Sequence, residues 1–327
     1  MLRHWRELDL HALHRAHRLD TASGADFARR RLNDEIAEFI LEPVLGGFLY
    51  TTLERTSQAL LLVLLKLGLK LRRLFTLAHG LSRLPEGMAA DLQVLPNAPA
   101  LSIRQQELGG YEVVAVVDGR ERRLHADGVV CATTASVAGR LIADLNPKQH
   151  AFLGAVSYAP NVTTVLAVDH RIPAPSHAML FPRAESRSLA TATVQSASDA
   201  LQPPEGQDLV KLYPSGTGSR ELLKMSDEAI LDVLLRDLGR AGPGFLLDGS
   251  VLFHRIHRWE EAVPEFGVGY VNALWRFAQG EIGCGRLVLA GDYLAAPMVE
   301  GAVTSGLLAA ERLLQRLGMK PATRPPA

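Results

Sequence analysis

The 327-residue chain contains two cysteines, Cys131 and Cys284. Two cysteines are too few for a disulfide framework, and this scarcity is typical of a reducing compartment, so we expect a cytoplasmic protein. The 35 basic and 35 acidic side chains cancel, which leaves no overall field that would attract nucleic acid. The composition therefore excludes a disulfide scaffold and predicts that nucleic acid is not a partner.

Long hydrophobic runs are also missing. The most apolar segment, 59–71, is interrupted by Lys66 and Lys70 and is shorter than the ~20 residues that cross a bilayer. A transmembrane helix is therefore not expected, although a peripheral membrane contact stays open. The Leu-rich segment 53–71 fits an apolar tunnel or a membrane-facing entrance, and it equally fits a plain core helix.

A large apolar fraction is present, at 47% of the residues. This fraction predicts a substantial core, built as one large domain or as two interleaved ones. Residues 1–78 have a mainly helical pattern, and from residue 79 onwards strands alternate with helices. Two continuous apolar strands, 128–133 and 286–290, are of the kind that a parallel sheet buries on both faces. The sequence therefore predicts an α/β fold.

Two groups of histidines have spacings that bear on metal binding. His11, His14 and His17 recur at a spacing of three, but no carboxylate or cysteine nearby completes a ligand set. We therefore expect a polar helix face there and no metal. His254 and His257 lie three apart in a predicted strand, which places them on opposite faces and argues against shared ligation.

An acidic pair, Glu260 and Glu261, follows Trp259. Two adjacent carboxylates belong either to a general acid–base pair or to a solvated turn. We expect the solvated turn.

The most informative element lies near the end of the sequence. A buried strand ends at Gly291, where backbone can approach a ligand closely. Asp292 then places a carboxylate at the carboxyl end of that strand, where open α/β sheets bind ligands. A helix follows from near Glu300, and its first amides have no partner inside the helix, so they suit a ligand that develops negative charge. The alternative is a helix whose small residues, Gly301 and Ser305 among them, allow close packing on a sheet.

Four segments together carry a family resemblance. The segment LVLAGDYLAAPMVEGAVTSGLLAAE resembles the C-terminal flavin-binding segment of the FAD-dependent amine oxidase, protoporphyrinogen oxidase and phytoene desaturase superfamily. HGLSRLPEGMAADL resembles its glycine- and proline-containing turn before a helix, and YEVVAVVDGRERRLHADGVVCATTAS resembles its strand pair. RWEEAVPEFGVGY resembles its W-x-x-A-x-P-x-x-x-x-G segment. The four segments occur in the family's order and cover most of 79–318.

The resemblance implies a fold in which part of an FAD-binding, Rossmann-like sheet domain is interleaved with an α+β substrate domain. On this basis the substrate domain comprises helical residues 1–78 and residues 146–280. The FAD-binding domain would comprise 79–145 and 281–318, and the prolines near the end of the sequence predict a disordered tail over 319–327. The cofactor implied is FAD, and the positions that match the family's FAD contacts are Ala100, Thr133, Thr134, Gly291, Asp292, Val299, Glu300, Gly301 and Ala302.

The sequence departs from the family where the cofactor's pyrophosphate would bind. Family members open with a strand and a G-x-G-x-x-G loop, and this sequence contains no such motif. Three explanations follow from this departure. The chain is a fragment of a longer reading frame, or a partner chain or a second copy supplies the first unit, or FAD is no longer bound.

Two further departures concern the substrate side. Thr163 occupies the position where amine oxidases commonly carry a lysine, and Met298 stands where they often carry an aromatic residue. Both departures favour a large apolar substrate over the usual amine. We therefore expect an FAD-dependent oxidoreductase that moves hydride from an apolar or amine-like small molecule to flavin. The alternative is a non-catalytic binding or interaction protein that retains only the substrate domain.

Overall fold

The computed structural model describes residues 4–72, 75–173, 176–199, 202–241, 251–280 and 285–320. Its α-helices are α1 (Gly24–Arg31), α2 (Asp34–Ile36), α3 (Glu42–Leu49), α4 (Gln58–Lys70), α5 (Arg83–Ala89), α6 (Ala135–Leu141), α7 (Pro147–Ala155), α8 (Gly216–Leu222), α9 (Asp227–Ala241), α10 (Tyr270–Gly280) and α11 (Val299–Arg316). A π-helical segment, Ala37–Leu41, joins α2 to α3, and 3₁₀ segments occur at Leu10–Leu19, Gln195–Ala197 and Asp292–Leu294.

The strands are β1 (Ala100–Gln105), β2 (Tyr111–Val117), β3 (Arg120–Ala126), β4 (Val129–Cys131), β5 (Tyr158–Val168), β6 (Ala178–Leu180), β7 (Leu189–Val194), β8 (Asp208–Pro214), β9 (Val251–Pro264) and β10 (Leu287–Leu289). They form an antiparallel sheet in the order β6-β7-β8-β5-β9, a β1-β2-β3 meander and a parallel β4–β10 pair. Helices and mixed sheets in one chain confirm the expected α/β class.

The antiparallel sheet has one face in a core and one face that carries polar residues. Val162 and Leu166 of β5 and Val210 and Leu212 of β8 pack in one apolar cluster with Leu234 of α9. Because side chains alternate along a strand, the residues between them point to the other face. Strand β8 therefore shows alternating burial along DLVKLYP.

The parallel pair lies next to the larger core. Strand β10 is fully buried, whereas Val130 of β4 is 39% exposed. Helix α11 covers one face of the pair through Ala309 and Leu313. Cys131 and Leu289 belong to the core cluster that includes the N-terminal helices, so these helices and the parallel pair pack as one body.

The N-terminal helices have a serine cap at one start and a proline at another. Ser23 caps α1 by accepting a hydrogen bond from Asp26 N–H, and Asp26 accepts from the Ser23 hydroxyl. Pro43 lies at the start of α3, a position where proline is tolerated, so the helical path continues to Leu49. Among the described residues, no helix has the length and apolarity to cross a membrane.

Candidate functional site

Gly291 lies two residues after the end of β10, and the neighbouring Tyr293 leaves no room for a side chain there. Gly291 has φ of 155°, and a side chain there would overlap the ring of Tyr293. The amide of Gly291 donates to Ser305 Oγ at 3.0 Å, which ties the strand end to the buried face of α11. The glycine therefore serves packing inside the chain as well as any close approach of a ligand.

Asp292 follows at the carboxyl end of β10, as the sequence predicts. Its Oδ1 accepts a hydrogen bond from Tyr293 N–H at 2.9 Å. Burial raises the pKa of its carboxyl to about 6, although that hydrogen bond acts in the opposite direction. A half-buried carboxyl with this pKa accepts or donates hydrogen bonds close to neutral pH.

Three tyrosines lie around this carboxyl. The Tyr270 hydroxyl donates to the backbone oxygen of Tyr293 at 2.9 Å, and the Tyr158 hydroxyl accepts from Ala135 N–H at 2.8 Å. Burial raises the pKa of each of these phenols, so all three stay neutral. The Tyr293 hydroxyl is buried and has no hydrogen-bond partner among the described residues.

A carboxylate from β9 completes the arrangement. Glu261 Oε2 accepts from the Thr134 hydroxyl at 2.6 Å and from the Ser136 hydroxyl at 2.8 Å. The expectation that Glu260–Glu261 forms a solvated turn is wrong, because both residues belong to strand β9 and Glu261 holds the loop after β4. We call Thr134, Tyr158, Glu261, Asp292 and Tyr293 the Asp292 cluster.

The start of α11 presents free amides. Met298 is the extended residue before the helix, and the Ala302 amide makes the first bond of the helical kind, to Met298 O at 3.1 Å. The amides of Val299, Glu300 and Gly301 therefore have no partner inside the helix. At such a start the helix dipole favours negative charge.

Gly301 itself has a packing role. A side chain at this position would overlap the carbonyl oxygen of Ala296. Gly301, Ser305 and Ala309 are the buried residues of α11. The geometry therefore favours close packing as the reason for a glycine at position 301. The backbone amide of Gly301 can still donate a hydrogen bond to a ligand.

The N-terminal 3₁₀ segment reaches the same helix, which the sequence did not predict. His11 Nδ1 lies 3.2 Å from Thr304 Oγ1 and 3.5 Å from Glu300 Oε1. His17 instead stacks on Trp275, with 4.3 Å between ring centroids. These two histidines therefore have separate environments, and no cluster of potential metal ligands occurs in the part of the chain that the structure describes.

The remaining predicted site residues lie outside the Asp292 cluster. Ala100 begins β1 in the separate three-stranded sheet. Thr133 donates to the backbone oxygen of Thr134 at 3.2 Å. Thr163 donates to Asn161 Oδ1 at 2.5 Å on the polar face of the antiparallel sheet. The FAD contacts of Ala100, Thr133 and the α11 start and the substrate-facing role of Thr163 stay predictions.

Comparisons with known proteins identify the family. Residues 1–314 match the family model described as flavin containing amine oxidoreductase, and the chain belongs to that family. Membership of a flavin-containing family supports FAD as the cofactor and an oxidoreductase activity.

Curated relatives are similar at low identity. The chain is 23% identical over 285 residues to a coproporphyrinogen III oxidase of Bacillus subtilis (strain 168), with 77% of this chain and 58% of the relative covered. It is 21% identical over 334 residues to a coproporphyrinogen III oxidase of Staphylococcus aureus (strain NCTC 8325 / PS 47), with 91% and 70% covered. The chain thus spans well under two thirds of the Bacillus relative.

A solved structure confirms the fold. Putrescine oxidase bound to putrescine superposes with a TM-score of 0.71 at 18% identity, over 91% of this chain and 69% of that one. At this identity the likeness establishes the architecture alone, and it agrees with the predicted oxidase fold.

Proposed function

We propose that this chain provides the substrate-binding part and the C-terminal cofactor contacts of an FAD-dependent oxidase that removes hydride from an apolar substrate. The observation that carries the proposal is the Asp292 cluster beside the open first turn of α11. Residues that follow β4 and β10 meet residues of β5 and β9 there, although these segments are far apart in the sequence. In an α/β fold, ligands bind at such carboxyl ends of parallel strands.

The residues present fit part of an FAD molecule. The amides of Val299, Glu300 and Gly301 would hold an electron-rich carbonyl edge of the ring system. Asp292, with its raised pKa, would accept from or donate to a ribityl hydroxyl. The buried, unpartnered Tyr293 hydroxyl offers one more polar contact. When bound, FAD supplies the hydride acceptor, and fixed dipoles near its ring favour the anionic reduced form.

The chemistry of this site favours an apolar substrate over an amine. The Asp292 cluster contains two phenols, two carboxyls, one threonine hydroxyl and no lysine, and Thr163 has only a hydroxyl. Both curated relatives are named for coproporphyrinogen III. We therefore propose a porphyrinogen-like substrate, and the chain's residues would bind and orient it while no side chain acts as the hydride acceptor.

The part of the fold that binds the pyrophosphate would come from a further polypeptide segment, either linked to this chain or on a partner. Two observations support this. Parallel sheets are normally covered and contain more than two strands, yet no third strand joins the β4–β10 pair among the described residues. Val299, Val303 and Leu307 also form an exposed apolar stripe on α11, with exposures of 64%, 36% and 52%.

Two measurements on the purified chain test the function. Flavin fluorescence quenching during FAD titration measures cofactor binding, with and without an added polypeptide that carries a G-x-G-x-x-G nucleotide-binding unit. Oxidation of coproporphyrinogen III is then followed by the rise of porphyrin fluorescence. Turnover in the reconstituted sample supports the proposal. Absence of both flavin binding and turnover in every combination would contradict it.

A non-catalytic binding protein is the second candidate. It is favoured by the absence of a G-x-G-x-x-G motif from the sequence. This candidate predicts that coproporphyrin binds with the same affinity whether or not FAD is present and that no oxidation follows.

A further inference from the structure

The polar face of the antiparallel sheet carries basic side chains from two strands. Val165 of β5 pairs with Lys211 of β8 on one side and with Arg255 of β9 on the other. Thr163 pairs with His257 of β9. Paired residues share a face, so Lys211, Arg255 and His257 lie on the same side as Thr163. With strands about 4.8 Å apart, Lys211 and Arg255 are about 10 Å apart at their backbones.

Lys211 is held in place without a carboxylate. Its Nζ donates to Gln195 Oε1 at 3.0 Å, and Gln195 Nε2 donates to Thr193 Oγ1 at 3.2 Å. Gln195 is 7% exposed, so the acceptor is fixed. Burial lowers the pKa of the Lys211 ammonium, because the charged form loses contact with water and no nearby carboxylate offsets this loss.

The two faces of the sheet differ in how their cations are paired. Arg258, one position after His257, is on the opposite face and forms a 2.6 Å ion pair with Asp227. Among the described residues, no ion pair involves Lys211, Arg255 or His257. On the polar face, the basic side chains Lys211 and Arg255 thus have no carboxylate partner within the described part of the chain.

Aromatic surface flanks these cations. Tyr213, two residues after Lys211 and on the same face, stacks on Tyr50 with 6.4 Å between ring centroids. Trp259, two residues after His257, is 57% exposed. An apolar molecule with an acidic group matches this combination of rings and unpaired cations.

We propose that Lys211, assisted by Arg255 and His257, binds a carboxylate of an apolar carboxylic acid that lies over this face of the sheet. The inference rests on the proposed function, because it names the acidic group of that oxidase's substrate and the residue that selects it. Lys211 lies about two residues, or 7 Å, along the sheet from Thr163, the predicted substrate-facing position. Lys211 is thus a specificity-determining residue that contacts the part of the substrate away from the reacting carbon.

Binding measurements on the purified chain, without turnover, test the assignment. The probes are coproporphyrin III, its tetramethyl ester, dodecanoate and methyl dodecanoate. The variants are Lys211→Met, which keeps length and removes charge, and Lys211→Arg, which restores charge. Lys224→Met, at an exposed lysine, is the matched control. Thermal midpoints show whether each variant is folded.

The wild type should prefer each acid over its ester, and Lys211→Met should weaken acid binding about tenfold while ester binding is unchanged. Lys211→Arg should recover most of the affinity, and Lys224→Met should behave as wild type. Equal binding of acid and ester by the folded wild type, or unchanged acid binding by folded Lys211→Met, would overturn the assignment.

The same variants separate this inference from the proposed function. Suppose that acid-selective binding depends on Lys211 but the reconstituted sample does not oxidise coproporphyrinogen III. This result supports the carboxylate-binding role of Lys211 and counts against the oxidase function. Oxidation with a KM that Lys211→Met leaves unchanged supports the oxidase function and contradicts the carboxylate-binding role of Lys211.

Discussion

The Thr134 hydroxyl donates a 2.6 Å hydrogen bond to Glu261, a residue 127 positions away in the sequence. This bond joins the loop that follows the parallel strand β4 to the antiparallel strand β9. It connects two of the segments that carry the family resemblance, so part of their shared pattern is a structural contact between them. The start of α6 is held by the same oxygen through Ser136.

The first prediction concerns that carboxylate. Glu261→Ala should lower the free energy of unfolding by about 1.5–3 kcal/mol, because it removes the charged acceptor of two hydroxyl donors. Glu261→Gln keeps an acceptor oxygen and should cost less. Glu260→Ala, at the exposed neighbour, is the control and should stay within about 0.5 kcal/mol of wild type. Urea unfolding measures all three, and equal effects of the two alanine variants would contradict the contact.

The second prediction compares two glycines of one helix. Gly301→Ala should destabilise the chain by about 1–3 kcal/mol, because its methyl group would overlap the Ala296 carbonyl. Gly306→Ala meets no atom within 4 Å and should stabilise the helix by up to about 1 kcal/mol. Thermal unfolding gives both shifts, and a neutral Gly301→Ala would mean that the packing argument fails.

The third prediction concerns pH. Burial raises the pKa of Asp292 to about 6 in the folded chain, above its ordinary value in the unfolded chain. The stability that the neutral carboxyl contributes is therefore present below about pH 4 and is lost as the pH rises through 6. Asp292→Asn removes this loss, so its advantage over wild type should grow between pH 4 and 7. Parallel stability profiles of the two proteins would show that Asp292 titrates normally.

The fourth prediction concerns the cofactor. The chain alone should emerge from gel filtration with little FAD, because nanomolar affinity requires about −12 kcal/mol and the sequence lacks the loop that binds the pyrophosphate. Absorbance at flavin wavelengths gives the ratio of flavin to protein. A yellow protein with one flavin per chain would refute this expectation.

The sequence predicted the regular elements well where periodicity is strong. The predicted apolar strands 128–133 and 286–290 correspond to β4 and β10, which pair in parallel. The predicted helix from near Glu300 corresponds to α11, and its small residues face the sheet. Short-range alternation and helical spacing depend on neighbours in the sequence, and a single sequence displays them directly.

The sequence did not predict contacts that depend on tertiary pairing. The role of Glu261 follows from the register of β9 against β5. Lys211 has no ion-pair partner among the described residues, and it lies on the same face of the sheet as Arg255, which is also basic. The alternation along β8 could have placed Lys211 and Val210 on opposite faces of the sheet. Only the strand order shows which basic side chains of other strands share the face of Lys211. Cys284 and most of the predicted tail, residues 319–327, lie outside the described residues.

The register of the parallel pair also bears on the order of folding. Val129 pairs with Leu287, and all five strands of the antiparallel sheet β6-β7-β8-β5-β9 lie in the chain between them. Closing so long a loop costs entropy that three paired residues alone do not recover. The antiparallel sheet should therefore form first and shorten the loop, and β4 should meet β10 late. The Asp292 cluster would then be assembled in the last folding step, so amide hydrogen exchange should find its strands the first to open.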